Sequence, residues 1–319
     1  MLVNPLIIKG VYLISRKIDL GKFRLKPQIN KWTGKDEVEQ IVGYCLAVAQ
    51  KKYNIAIYAV CVMSNHLHIV CRDLDGRISD FMADVHRNIA QCMNAKQKKK
   101  RSFWSHDKPG KTWLVSRPDL FDRILYVMLN PVKSGLVNHY SSWPGMVTEA
   151  KDFLKSGGIT YKRPHYFFKS NGKMPKTATL VYSLPPGYNN LTRASFCKLL
   201  EERLQKEEKL IAEERDHKKP LGKRKILKQD PFSRPLKGSS EGGFNPAVAC
   251  KDKELRIKAT SWLKNFRISY RKAWERYRRG ERDVEFPYGT FKLVREHDVR
   301  VAQRSREAED LLLVLPEFA

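Results

Sequence analysis

Residues 55–63 are almost unbroken in their apolar character, and after Ser64-Asn65 the chain resumes as His66-Leu67-His68-Ile69-Val70. So short and apolar a run is expected of a strand buried on both faces. The two-residue break lets the second run fold back on the first as a hairpin, which puts a sheet at the centre of the fold. Side chains alternate across a strand, so His66 and His68 leave one face while Leu67 and Ile69 leave the other. Two imidazoles beside a central strand are poor use of core space unless something binds them. Together they offer two neutral nitrogens to one divalent metal. The competing reading is a pair of satisfied or solvent-facing histidines. Further on, Tyr126 precedes Asn130 by four residues. On a helix that spacing brings a hydroxyl and an amide oxygen to one spot.

Charge narrows the partners. Sixty-one lysines and arginines stand against 34 acids, a net +27 over 319 residues. A polyanion is the natural ligand of such a chain, and nucleic acid is favoured over a membrane surface because no lipid-anchoring signal or long apolar span is present. The cysteines at 45, 61, 71, 92, 197 and 250 form no Cys-x-x-Cys pair. That usage fits a reducing compartment and gives no thiolate zinc site. With no signal-peptide layout in the first ten residues, the expected location is the cytoplasm.

Periodicity predicts strand, helix, strand, strand, helix, strand, helix. The segments are 7–16, 36–52, 54–62, 66–72, 77–96, 113–115 and a helix capped by Ser116 that runs to Asn130, where Pro131 stops it. This order predicts an α+β fold with a ferredoxin-like antiparallel sheet and helices on one face. Residues 1–148 form the expected main domain. An irregular and helical extension follows at 149–215, in which 192–214 reads as a solvated helix of alternating charge. Residues 216–247, rich in Lys, Arg, Pro and Gly, read as a basic flexible linker. Residues 248–319 form a helical DNA-binding or docking region, so the C-terminal extension is largely helical and basic. Its helix at 253–279 carries an aromatic stripe opposite an arginine-rich face that includes Arg267 and Arg271.

Two segments carry a family resemblance. The stretch Y-A-V-C-V-M-S-N-H-L-H-I-V at 58–70 resembles the signature of HUH-type single-tyrosine transposases, and L-Y-V-M-L-N-P-V-K-S-G-L-V at 125–137 is similar to the Tyr-x-x-x-Asn-Pro-Val segment of the REP-associated tyrosine transposase group. Weaker matches at 12–16, 93–94, 103–104 and 141–143 extend the likeness in order over roughly the first 145 residues. Ser64 stands where many members have proline, and Lys133-Ser134 replaces the commoner Arg-Ala. Neither departure touches the ligands or the nucleophile.

The resemblance implies an HUH nuclease domain in which His66, His68 and Asn130 hold Mg²⁺ or Mn²⁺ and Tyr126 is the nucleophile. The implied reaction is cleavage of hairpin-bearing single-stranded DNA through a 5′-phosphotyrosine, with strands rejoined later. A metal is useful there because a phosphodiester repels an incoming phenolate and gathers further charge in the transition state. Candidate DNA contacts are Arg16, Asn65, Arg87, Lys98, Lys99, Lys100, Arg101, Trp104, Arg123, Lys133, Arg267 and Arg271, with Trp104 either stacking on a base or packing at the domain edge. Homodimerisation stays open. So do a domesticated hairpin-DNA-binding protein and a nickase of replication-initiator, relaxase-like or defence type on the same fold.

Overall fold

The computed structural model describes residues 4–216, 218–235, 246–304 and 311. Strand β1 (Gly10–Lys17) leads through a loop to helix α1 (Glu37–Tyr53). That helix begins where the Asp36 carboxylate accepts from the Val38 and Glu39 N–H groups, and it ends on Asn54 in the left-handed conformation at φ 52°. Strands β2 (Ile55–Val62) and β3 (His66–Asp73) form the expected hairpin, closed by a 2.8 Å bond from Met63 N–H to the His66 carbonyl. Helix α2 (Ile78–Lys96), strand β4 (Gly110–Leu114) and helix α3 (Arg117–Met128) complete the first part of the chain.

The main sheet has the order β2-β3-β1-β4 and then a fifth strand, β7 (Val248–Ala249), which pairs with β4 in parallel. The other pairings are antiparallel, so the fold is α+β with a mostly antiparallel central sheet. Strand β3 lies between β1 and β2, with His66 opposite Lys17 and His68 opposite both Ser15 and Cys61. A slip of one residue would send both histidines to the other face, and the burial of Leu67 and Ile69 beneath them forbids it.

The helices lie on both faces, not on one as the pattern suggested. On the histidine face, the ring of Tyr126 in α3 meets the ring of His68. On the other, Arg16 reaches Trp104, whose indole N–H donates to the His86 carbonyl of α2, and α1 packs against α2. The physical reason is that β2 and β3 bury residues on both sides, and each side needs a cover.

Pro131 also acts differently from expectation. Helix α3 ends at Met128, and Asn130 opens a separate turn, α4 (Asn130–Lys133), with the proline in its first positions. Proline has no N–H to bond back to residue 127, yet it is well suited to a helix start.

The remainder of the chain closes on this body. Strands β5 (Ile159–Lys162) and β6 (Thr177–Leu180) form a hairpin over α1. Helix α5 (Arg193–Glu214), expected to be solvated, buries Phe196, Leu200, Leu204 and Ile211. Four apolar residues at helical spacing outweighed the charge density, since each such side chain contributes about 2 kcal/mol when buried.

The expected flexible linker is likewise bound over its described part. Leu221 and Gly222 N–H groups donate to the Gly135 and Leu136 carbonyls, helix α6 (Lys223–Lys228) buries Ile226, and the Lys26 ammonium donates to the Leu227 carbonyl at 2.8 Å. Residues 217 and 236–245 of that segment lie outside the described residues. Helix α7 (Lys253–Arg278) packs on the sheet edge through Trp262 against Trp113. Two two-residue strands, β8 (Glu285–Phe286) and β9 (Arg300–Val301), flank helix α8 (Phe291–His297), so the region beyond 248 is helical with added strand pairing.

Candidate active site

Three chain segments deliver the site. The β1–β3 register sets His66 and His68 side by side, with ring centroids 4.9 Å apart and planes at 74°. Helix α3 brings Tyr126, whose ring centroid lies 5.7 Å from that of His68. The start of α4 brings Asn130, buried. Two bonds fix the near end of α3. Ser116 caps it by accepting from the Asp119 N–H at 3.2 Å, and the Asp119 carboxylate accepts from the Lys251 N–H at 3.0 Å. The segment beside β7 therefore anchors the helix that carries the tyrosine.

Both imidazoles are neutral at pH 7. Burial pulls His66 down to about 4, opposed by its contact with the Asn130 amide and assisted by the Lys17 charge. Burial pulls His68 down to about 3, with His66 and Lys17 adding to the effect. A neutral imidazole has a free lone pair, which is the form a metal takes. His66 Nδ1 lies 2.8 Å from Asn65 Oδ1, an arrangement that orients the ring.

His68 Nδ1 and Asn130 Oδ1 are both buried and have no hydrogen-bond partner. Leaving such an atom unpaired costs about 1–3 kcal/mol, so each would gain from a ligand. Two imidazole nitrogens and an amide oxygen suit a divalent ion of intermediate hardness, and the residues present therefore fit a metal. Among the described residues no three His, Cys, Asp or Glu side chains converge to make a metal group.

Tyr126 is partly exposed and stands between two cations. The Lys133 ammonium lies 5.5 Å and the Arg123 guanidinium 5.8 Å from its ring centroid. Lys17, exposed and directly opposite His66, adds a third positive charge at the same end of the sheet. The sequence reading missed Lys17. Its signal is the strand register, which is visible only once β1 is paired with β3.

The other expected DNA contacts divide. Lys98, Lys100 and Arg101 are exposed beyond the end of α2, and the Lys99 ammonium lies 5.0 Å from the Phe232 ring. Arg271 is exposed on α7. Trp104, in contrast, is buried, held by its bond to the His86 carbonyl and by ring contacts with Phe103 and His86, so it packs and does not stack on a base. Arg16 is committed to the carbonyls of Ser105 and Asp107. Arg87 pairs with Asp84 on the helix remote from the histidines, and Arg267 donates to Asn4 Oδ1 at 2.6 Å. Asn65 serves His66. A separate cavity of about 560 Å³ lies between residues 138–141 and α5, away from the imidazoles.

Residues 27–110 match the family model described as "Transposase IS200 like". The match takes in both histidines and stops short of Tyr126 and Asn130. A solved structure described as the REP-associated tyrosine transposase bound to a REP hairpin aligns over 56% of this chain and 95% of its own, at 16% identity and a TM-score of 0.36. No curated protein sequence matches the chain. Among the described residues no helix is long and apolar enough to cross a membrane.

Proposed function

We propose that this protein is a transposase-like, metal-dependent single-stranded DNA endonuclease and strand transferase. One observation carries the reading. Tyr126, flanked by cations, converges with His66, His68 and Asn130 on one sheet face, where two buried polar atoms have no partner within the protein. The match of residues 27–110 to an IS200-like transposase family supports it.

His66, His68 and Asn130 would hold Mg²⁺ or Mn²⁺, which when bound neutralises charge on the nonbridging oxygens of a phosphodiester. Tyr126 Oη attacks the phosphorus. A bond forms between that oxygen and phosphorus, the P–O3′ bond breaks, and a proton ends on the released 3′-hydroxyl while the phenol loses its own. Lys133 and Arg123, beside the Tyr126 ring, receive the anionic strand. The 5′-phosphotyrosine retains the energy of the phosphodiester, so an incoming 3′-hydroxyl reverses the step and joins strands without a nucleotide cofactor. Tyr126 is partly exposed, so the scissile phosphate of a single strand can reach it, with a hairpin beside it as the structural marker.

Incubation with a labelled, hairpin-bearing single strand and Mg²⁺ should give a protein–DNA adduct on a denaturing gel, and EDTA should prevent it. An adduct that forms equally well in EDTA, or none with any hairpin strand under divalent ions, contradicts the reading.

A further inference from the structure

Trp32 is 95% exposed, far beyond Leu20 at 61%, the next most exposed large apolar side chain among the described residues. It is not on a frayed segment. Asn30 Oδ1 accepts from the Trp32 and Thr33 N–H groups at 3.0 Å each, the Asn30 N–H donates to the Lys35 carbonyl, and Gly34 turns the chain at φ 67°. The Asn30 amide then donates to the Glu37 carboxylate at 2.8 Å, which pins the loop to the first turn of α1. A built turn thus holds an indole in water, where its large apolar surface gains nothing from folding.

The turn's position gives that indole a purpose. Strand β1 ends at Lys17 beside His66, and the returning chain donates from Leu25 N–H to the Ser64 carbonyl at 2.8 Å, two residues before His66. Glu37 also pairs with Lys96, after which the exposed basic residues 98–101 begin. The loop, the histidine pair and the basic tract therefore share one end of the sheet. In the same loop Lys31 and Lys35, one and three positions from Trp32 along the chain, are both exposed. A lone exposed ring with two lysines so close in sequence is poorly suited to an apolar protein groove. It is well suited to a base with phosphates on either side.

We propose that Trp32 is a stacking platform for an unpaired base of the DNA strand bound at the His66–His68 site, with Lys31 and Lys35 taking the adjacent phosphates. This rests on the reading of the site as one for single-stranded DNA and adds the surface that grips the strand outside the scissile step.

The test uses the full chain carrying Tyr126→Phe, so that DNA is bound and not consumed, and a fluorescent single strand scanned with abasic sites. Trp32→Ala should weaken binding roughly tenfold, and Trp32→Phe should restore it to within about threefold. One abasic position should weaken the chain that retains Trp32 and leave the Trp32→Ala form without further loss. Blunt duplex should bind both forms alike. Single-strand affinity within twofold after Trp32→Ala overturns the proposal. So does an equal loss on duplex, or a loss seen only on anionic vesicles. Adduct formation by the unmodified protein is scored separately: its absence defeats the catalytic reading, while the abasic scan still decides the role of Trp32.

Discussion

His68 and His86 look alike one residue at a time. Both are buried, both are pulled down to about 3 by loss of hydration, and both leave a ring nitrogen, Nδ1 in one and Nε2 in the other, without a hydrogen-bond partner. What separates them is company. His68 shares its face with His66, Asn130 and Tyr126, and Lys133 and Arg123 stand beside the tyrosine. His86, across the sheet, meets the ring of Trp104, and Arg16 beyond it is already committed to backbone carbonyls. Burial and a displaced pKa therefore do not define a site; convergence of several donors and a nucleophile does.

The largest effect that sharpens this contrast is on cleavage. His66→Ala or His68→Ala should reduce adduct formation by roughly a thousandfold or more, because charge neutralisation at the phosphate is lost. Strand affinity should change little, since backbone contacts supply most of it. His86→Gln should leave the cleavage rate per folded molecule within about twofold. If His86→Gln were as damaging as His68→Ala, the two histidines would not differ as described.

On stability the order reverses. Trp104→Ala removes a buried indole and should cost about 3–5 kcal/mol in denaturant unfolding. Trp32→Ala should cost under about 0.5 kcal/mol, because nothing packs on that ring. Equal losses would break the distinction between a packing tryptophan and a displayed one.

Acid should act on both faces. A histidine whose pKa is lower folded than unfolded binds fewer protons in the native state, so stability falls as pH drops below the unfolded value of about 6.5 and keeps falling until the folded value is reached. For His86 that window runs from about 6.5 to about 3. By pH 5.5 each such histidine should have cost about 1.4 kcal/mol, and His86→Gln should remove its share of the slope between pH 7.5 and 5.5. An unchanged slope in that variant would show that His86 does not titrate as its burial requires.

The smallest effect concerns α7. Arg271→Ala should lower the slope of log affinity against log salt by about 0.7–0.9 and leave cleavage at saturating strand unchanged, if its guanidinium faces a phosphate. Truncation before residue 216 is a poor probe of that helix, because it would also remove β7 from the sheet edge and the Lys251 N–H that holds Asp119.

The parts of this molecule that are legible in its sequence are local. The β2–β3 hairpin, the caps at Asp36 and Ser116 and the length of α1 follow from residues within a few positions of one another. The parts that are not legible depend on distant partners. Nothing near Val248 announces that it pairs with Trp113, and Trp104 reads as a candidate for stacking until its indole meets the His86 carbonyl. The same holds within the site: His66, His68 and Tyr126 carry their own pattern, whereas Lys17 gains its place only through the strand register. Trp32 failed to stand out because one aromatic in a polar loop has no period.

The most direct measurement is to trap the adduct with a labelled hairpin strand and Mg²⁺, digest it, and identify the modified peptide by mass spectrometry. A phosphodinucleotide or longer remnant on Tyr126, with no adduct from Tyr126→Phe, is the expected result. A remnant on any other residue, or an adduct that persists in Tyr126→Phe, would contradict the assignment of the nucleophile and with it the proposed chemistry.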